Sequence, residues 1–260
     1  MDFVQKIVDT TKDVITHDKM KFSLSDIKSA CSDISPAISF LPVFQTNGVH
    51  IIAEVKKASP SAGVICGRFD PVKIAKEYVD GGASAISVLT EPTKFLGSLH
   101  ALQQIREAVK LPLLRKDFIF DPYQIYQARS VGSDSFLLIC SILEKTQLED
   151  LFLLGQELGM EALIEVHSED EMEIALSVGA FFIGINNRNL KTLEVDINTT
   201  KNLAPLVPNE RVVVSESGIS SHKQIVELRS VGVKGILIGE TLMRASDRSA
   251  KLRELIYGEN

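Results

Sequence analysis

One phrase recurs along this chain and restricts its architecture more than any single motif does. A glycine closes an amphipathic stretch, and a short apolar run follows within a few residues. The phrase occurs at Gly82-Ala-Ser-Ala-Ile-Ser-Val-Leu, Gly132-Ser-Asp-Ser-Phe-Leu-Leu-Ile, Gly159-Met-Glu-Ala-Leu-Ile-Glu-Val, Gly179-Ala-Phe-Phe-Ile-Gly-Ile and Gly232-Val-Lys-Gly-Ile-Leu-Ile. Glycine accepts the left-handed backbone that ends a helix, and short unbroken apolar runs mark strands covered on both faces. Each phrase therefore predicts a helix-to-strand joint.

Helix starts point the same way. Asp70-Pro71 and Asp121-Pro122 each set a capping acid before a proline suited to a first helical turn, and Ser168 with Glu171 has the spacing of a capping box. Ile74, Ala75, Tyr78 and Val79 read as one apolar helical face. The apolar runs predict eight strands, near 51–56, 84–89, 112–117, 134–139, 160–166, 181–186, 211–216 and 235–239, each followed by room for a helix. Strict β-then-α alternation means parallel strands joined by helical crossovers. Eight such units in 260 residues suit an α/β fold of the (β/α)8 TIM-barrel type. The alternative, an open Rossmann-like sheet, lacks the G-x-G-x-x-G turn expected after its first strand.

The first 48 residues do not follow the phrase. Phe3, Val4, Ile7, Val8, Val14 and Ile15 predict an amphipathic helix, and Ser23 to Cys31 a shorter one. No Gly/Ser/Pro-rich linker follows them, so an N-terminal helical extension packed on the barrel is expected, within one domain over 1–260.

Composition narrows the partners. Hydrophobic residues at 45% and charged residues at 24% suit a folded chain, and no apolar run approaches the ~18 residues of a membrane span. The start, Met1-Asp2-Phe3-Val4-Gln5-Lys6, lacks a signal-peptide pattern. Three cysteines (Cys31, Cys66, Cys140) form no CxxC pair, and Cys66 and Cys140 are expected as small buried hydrophobes. A net charge of −6 without a Lys/Arg run argues against nucleic acid. The histidines show neither HxxxH nor HExxH spacing, and no G-x-S-x-G elbow or Walker loop is present. The expectation is a soluble, cytoplasmic chain with no metal, no membrane partner and, since the sequence stops soon after the eighth predicted helix, no fused enzyme.

In a parallel barrel the site lies at the C-terminal strand ends, and a charge buried there is costly unless it is paired or used. The first strand runs Ile51-Ile52-Ala53-Glu54-Val55-Lys56, and alternation puts Ile52, Glu54 and Lys56 on one face. The third ends Arg115-Lys116-Asp117, the fifth Ile164-Glu165 and the seventh Ser215-Glu216, while the sixth ends in Asn186, with Arg188 two residues on. Alternate strands share interior layers, so Glu54 or Lys56, Lys116, Glu165 and Glu216 are expected in one layer. Two readings stand at this point: a purely structural ion-pair network, or acids and bases whose pKa values are moved by burial and by each other. Convergence of so many such groups on one barrel mouth favours the second. Separately, Ser217-Gly218 after the seventh strand and Gly239-Glu240 after the eighth combine small residues with helix starts, which suits a phosphate. Lys56 is placed to add a point charge.

The stretch Glu54-Val-Lys56-Lys-Ala-Ser59-Pro60-Ser-Ala-Gly63 resembles the signature of the indole-3-glycerol phosphate synthase family of tryptophan biosynthesis. Leu-Arg-Lys116-Asp117-Phe118, Leu-Ile-Glu165-Val, Ile-Gly-Ile-Asn186-Asn-Arg188-Asn-Leu190 and Ser-Glu216-Ser217-Gly218-Ile resemble it too, in the family's order. Ala62 stands where many members have lysine, and Glu240 where others have serine.

The resemblance implies a carboxy-lyase that needs no cofactor. The reaction would be ring closure of 1-(2-carboxyphenylamino)-1-deoxyribulose 5-phosphate with loss of carbon dioxide and water. The resemblance also implies an N-terminal segment over the barrel mouth. Lys116 would be the acid at the ketone. In dehydration Glu165 would be the base and Lys56 the acid, unless Lys56 mainly holds phosphate. Glu54, Asn186 and Glu216 would orient these groups, and Arg188 would fix Glu165 or the substrate. Pro60, Phe95, Phe118 and Leu190 would line a slot for the anthranilate ring, with Ser59 beside the substrate and Ser217, Gly218, Gly239 and Glu240 at its phosphate. A Schiff-base aldolase on the same barrel, and a barrel that only binds phosphorylated metabolites, remain as alternatives.

Overall fold

The computed structural model describes residues 3–48 and 50–258; the side chain of Phe3 and residues Met1 and Asp2 lie outside the description. Its barrel strands are β1 (His50–Val55), β2 (Ala85–Leu89), β3 (Leu113–Lys116), β4 (Ser135–Ile139), β5 (Glu161–Val166), β6 (Phe182–Asn186), β7 (Val212–Glu216) and β8 (Gly235–Ile238). All neighbours are parallel, and β1 pairs with both β2 and β8, which closes the sheet into a TIM barrel. Closure leaves no unpaired edge. Each strand begins and ends within one residue of the range its apolar run predicts.

The five glycines of the recurring phrase all have φ between +70° and +96°. Any other residue there would pay roughly 1–2 kcal/mol for the left-handed backbone. Asp70 and Asp121 accept from the backbone N–H groups of Lys73 and Tyr123, as their capping role requires. Ser168 accepts from Glu171 N–H, but the Glu171 carboxylate returns to the N–H of His167 rather than to the cap itself. Two expectations are corrected. Val79 is 41% exposed, since five residues on from Ile74 it has rotated off the buried stripe. Cys66 sits partly exposed in a loop, whereas Cys140 is buried.

Alternation along the strands divides the apolar residues into two bodies. Residues such as Ile51, Ala53, Ile86, Phe136 and Ile164 point outward and pack under the helices. Residues such as Ile52, Leu114, Leu137, Leu163 and Val214 fill the barrel itself. At the C-terminal ends the inward positions change from apolar to charged, and that change makes the site.

The extension spans both ends of the barrel. Val4, on the helix Phe3–Lys21, reaches the cavity at the C-terminal strand ends, while Ile15 packs down the flank with Ile27 and Tyr123. After the helix Leu24–Ser32 the chain passes to the opposite end. There Asp134, just before β4, accepts from Ile38 N–H at 2.8 Å, and Glu161, the first residue of β5, accepts from Phe40 N–H at 2.8 Å. Phe40 and Phe44 lie 5.7 and 5.4 Å from the Phe182 ring and close the barrel floor. Gly235 makes room for this seal, because a Cβ there would stand 2.6 Å from Phe44 Cε1.

Phe44→Ala should therefore destabilise the protein by about 3–5 kcal/mol, the usual cost of emptying a buried aromatic site. A urea midpoint shift at constant m-value measures it, and a loss under about 1 kcal/mol would mean the floor is not part of the cooperative core.

Candidate active site

The C-terminal strand ends surround a cavity of about 400 Å³, and every residue singled out from the sequence as catalytic or substrate-binding lines it. At its floor the Lys116 ammonium stands 2.9 Å from Glu165 Oε2 and 3.2 Å from Glu216 Oε2. Asn186 Nδ2 donates to Glu165 Oε1 at 3.1 Å. Beside this group Lys56 Nζ lies 2.7 Å from Glu54 Oε1. The side chain of Arg115 points the other way and anchors the end of β3. Its guanidinium bonds Asp117 Oδ2 at 3.0 Å and the Gln124 carbonyl at 2.6 Å, while Asp117 Oδ1 accepts from Phe118 N–H. That outward clamp fixes the strand end from which Lys116 faces in.

The two carboxylates around Lys116 are driven apart electrostatically. Burial opposes charge on Glu165, but Lys116 and His167 outweigh it and hold this carboxyl well below the usual range. For Glu216, burial together with the neighbouring Glu165 charge outweighs Lys116 and pushes the carboxyl up. Burial likewise opposes charge on Lys116, yet Glu165, Glu216 and Glu54 together raise it above an ordinary lysine. One acid is thus kept ionised while its neighbour takes up a proton more readily, the pattern from which acid and base roles are built.

Glycines on the inward face make the space. A Cβ on Gly184 would stand 2.2 Å from Glu216 Oε1, a buried oxygen with no hydrogen-bond partner among the described residues. A Cβ on Gly239 would stand 2.1 Å from Glu54 Oε1 and 2.9 Å from Lys56 Nζ. Gly239 thus belongs to the charged layer as well as to the turn expected to face a phosphate, a role its loop position alone does not reveal.

Two loops form the cradle expected for a phosphate. Ser217 (φ +68°) and Gly218 (φ +81°) turn the chain after β7, and Asn187 Nδ2 donates to the Ser217 carbonyl at 2.9 Å to hold that turn. Thr241 Oγ1 donates to the Ile219 carbonyl at 2.9 Å and ties the loop after β8 to it. Glu240 is paired with Arg244 at 2.8 Å, so its charge is balanced by a cation that also borders the cavity. On the apolar side, Phe95 and Phe118 lie 6.4 Å apart. Phe95 is held by Glu91, a buried carboxylate that accepts from the N–H groups of Thr93, Lys94 and Phe95. The Phe95 carbonyl accepts from Ala58 N–H at 3.2 Å, and Ser59 Oγ accepts from Ala62 N–H, which brings the Pro60 turn against the slot.

Of the two partners expected for Arg188, Glu165 or the substrate, the first is corrected. Arg188 does not reach Glu165: its Nη1 donates to the Leu193 carbonyl at 2.9 Å, because the loop after β6 folds back on itself, and Asn186 takes the place beside Glu165. Three contributors escape the sequence reading: Glu91, Asn187 and His167. For His167 a signal was present, since alternation puts it two residues beyond Glu165 on the same face. Among the described residues no three His, Cys, Asp or Glu side chains are grouped so as to hold a metal ion.

A closed barrel with a buried acid–base layer beside a glycine-lined cradle defines a (β/α)8-barrel enzyme. The family model described as indole-3-glycerol phosphate synthase matches residues 4–255. The indole-3-glycerol phosphate synthase of Lachnoclostridium phytofermentans is 48% identical, over 97% of this chain and 98% of that protein. That of Dehalococcoides mccartyi is 47% identical, over 97% and 99%. The chain belongs to the indole-3-glycerol phosphate synthase family. Among solved structures, 3-hexulose-6-phosphate synthase from Salmonella typhimurium superposes with a TM-score of 0.64 at 12% identity, covering 80% of this chain and 96% of that one, a likeness of fold alone.

Two predictions arise here. Gly184→Ala displaces the Glu216 carboxylate and should lower turnover by about tenfold or more, with the far-UV CD spectrum unchanged; full activity would mean Glu216 has room elsewhere. The second concerns pH. Burial opposes charge on His167, but Glu165 and Glu171 outweigh it and push the imidazole up from 6.5 to about 10. A raised folded-state value means the native protein holds this proton more tightly. The stabilisation is complete below the unfolded pKa and fades as pH rises through the folded one. Urea unfolding should show wild type ahead of His167→Gln at about pH 6 and the gap closing towards about pH 10.

Proposed function

We propose that this chain closes the indole ring of 1-(2-carboxyphenylamino)-1-deoxyribulose 5-phosphate, releasing carbon dioxide and water, as its family membership and site chemistry together suggest. The observation that carries the proposal is the Lys116 ammonium set between Glu165 and Glu216 on the floor of a cavity with an aromatic slot and an anion cradle on its walls. The substrate has the matching parts: an anthranilate ring, a ketone and a phosphate.

With the ring between Phe95, Phe118 and Leu190 and the phosphate at Ser217, Gly218 and Gly239, the ketone is directed to Lys116. The ring carbon that bears the carboxylate attacks the ketone carbon, and negative charge grows on the ketone oxygen. Lys116, kept charged by its carboxylate neighbours, first stabilises that charge. It gives up a proton as the oxygen becomes basic. Loss of carbon dioxide returns the bond electrons to the ring and restores aromaticity, so no electron-sink cofactor is required. In dehydration Glu165 takes the anilino proton, the nitrogen electrons pushed through the ring help expel the hydroxyl, and Lys56 protonates the departing oxygen. Loss of the adjacent C–H proton, with a proton returned to the nitrogen from Glu165, completes the indole and restores the carboxylate. The aldolase alternative fits less well, because a Schiff base needs a neutral amine and the carboxylates here hold Lys116 charged.

The test is a fluorescence assay of product formation from the ribulose phosphate. Lys116→Ala should lower kcat on the order of 10²–10⁴-fold. Near-normal turnover in that variant would remove Lys116 from the role, and no turnover by the wild-type chain would overturn the reading as a whole.

A further inference from the structure

His167 takes no part in the steps above, yet it joins the charged layer to a second carboxylate. It follows β5, with its side chain 14% exposed, between Glu165 and Glu171. Its Nε2 lies 3.3 Å from Glu165 Oε1, an ion-pair distance but off the line of a hydrogen bond, and Nδ1 lies 3.1 Å from Glu171 Oε2. The same Glu171 oxygen accepts from His167 N–H at 2.7 Å, so the residue is gripped by both backbone and ring. Glu171 is itself placed by Ser168, the cap of the helix Glu169–Ser177. The remaining groups around this contact are Asn186 and Lys116 on Glu165 and the Cys140 thiol, which burial keeps neutral.

We infer that His167 and Glu171 are positioning residues for Glu165, a charged imidazole bridging two carboxylates so that the base stays oriented and ionised while Lys116 attends to the substrate. The inference rests on the reading of Glu165 as the base in dehydration. Before reaction Glu165 has Lys116 on Oε2 and, near Oε1, the His167 imidazole, which Glu165 and Glu171 favour in its protonated form. When Lys116 gives a proton to the ketone oxygen, its charge is lost and the first of these partners is gone. His167 then remains as the only full positive charge at hydrogen-bonding range of Glu165 among the described residues, and Glu171 keeps it from turning away. The clamp acts after the ring has closed, so its loss should be felt in turnover rather than in substrate binding.

Two measurements decide it. In steady-state assays His167→Gln should lose about ten- to a hundredfold in kcat, the scale of a misplaced catalytic group, with KM within twofold of wild type. Glu171→Gln, which keeps an acceptor for the His167 N–H but removes the charge, should lose at least about threefold in the same parameter, and the double variant should be little worse than His167→Gln. By NMR, the imidazole signal that disappears in His167→Gln should be that of a protonated ring at about pH 8, where free histidine is neutral, and should become neutral in Glu165→Gln. A kcat within twofold of wild type in both single variants, or an imidazole titrating like free histidine, overturns the clamp. If His167→Gln does not fold, Glu171→Gln and the wild-type titration carry the test. A wild-type chain that forms no product refutes the proposed reaction instead, while the NMR titration still decides the clamp.

Discussion

A lysine ammonium buried between two carboxylates is the interaction on which the rest of this barrel is arranged. Removing such charges from water costs several kcal/mol apiece, and pairing recovers that only with good geometry and further hydrogen bonds. The barrel supplies both through its register. Successive strands shear past one another so that inward positions at the ends of β1, β3, β5 and β7 fall at one height, and Glu54, Lys116, Glu165 and Glu216 arrive there together. Even so, the layer is left one contact short: Glu216 Oε1 has no partner among the described residues. An ion-pair network serving stability alone would gain by filling that position. An open acceptor facing a cavity suits a group that must meet something else.

Volume inside the barrel is rationed by glycine. Gly184 yields to Glu216, Gly239 to the Glu54–Lys56 pair, and at the opposite end Gly235 yields to Phe44. The same device serves chemistry at one end and packing at the other. In each case a residue with no side chain leaves room for a large neighbour inside the barrel without spreading the closed sheet, which dense packing would not otherwise allow.

Much of this was legible from the sequence because it is written in short-range periodicities. The glycine-then-apolar phrase marked the helix-to-strand joints, and period-two alternation placed Glu54, Lys116, Glu165 and Glu216 on the inward face. What stayed hidden depends on side chains that act across loops. Glu91 looks like a surface acid after a strand until its carboxylate is seen gathering the N–H groups of its own loop. Asn187 reads as the neighbour of Asn186, yet alternation turns it outward to hold the Ser217 carbonyl and accept from Thr200. For Arg188 the motif suggested Glu165 or the substrate as partner; a loop carbonyl takes the place of Glu165, while the residue still lines the cavity. Residues 34–48 carry no periodicity, so the chain's path to the barrel floor could not be read from them.

The mouth that results is held by ties between loops rather than by any one of them. Thr241 binds the loops after β7 and β8, Ala58 binds the loop after β1 to the one after β2, and Asn186 joins β6 to Glu165 on β5. Loops are ordinarily the mobile part of a barrel and the part that carries function. Here several of the segments that present groups to the cavity are bonded to a neighbour, so this part of the mouth inherits the stiffness of the closed sheet beneath it. That stiffness matters for the proposed reaction, in which a lysine and a glutamate in direct contact are given different tasks in successive steps. A catalytic group misplaced by one ångström can lose about 10²-fold in rate, so a frame that resists such a shift suits the proposed division of labour between the two.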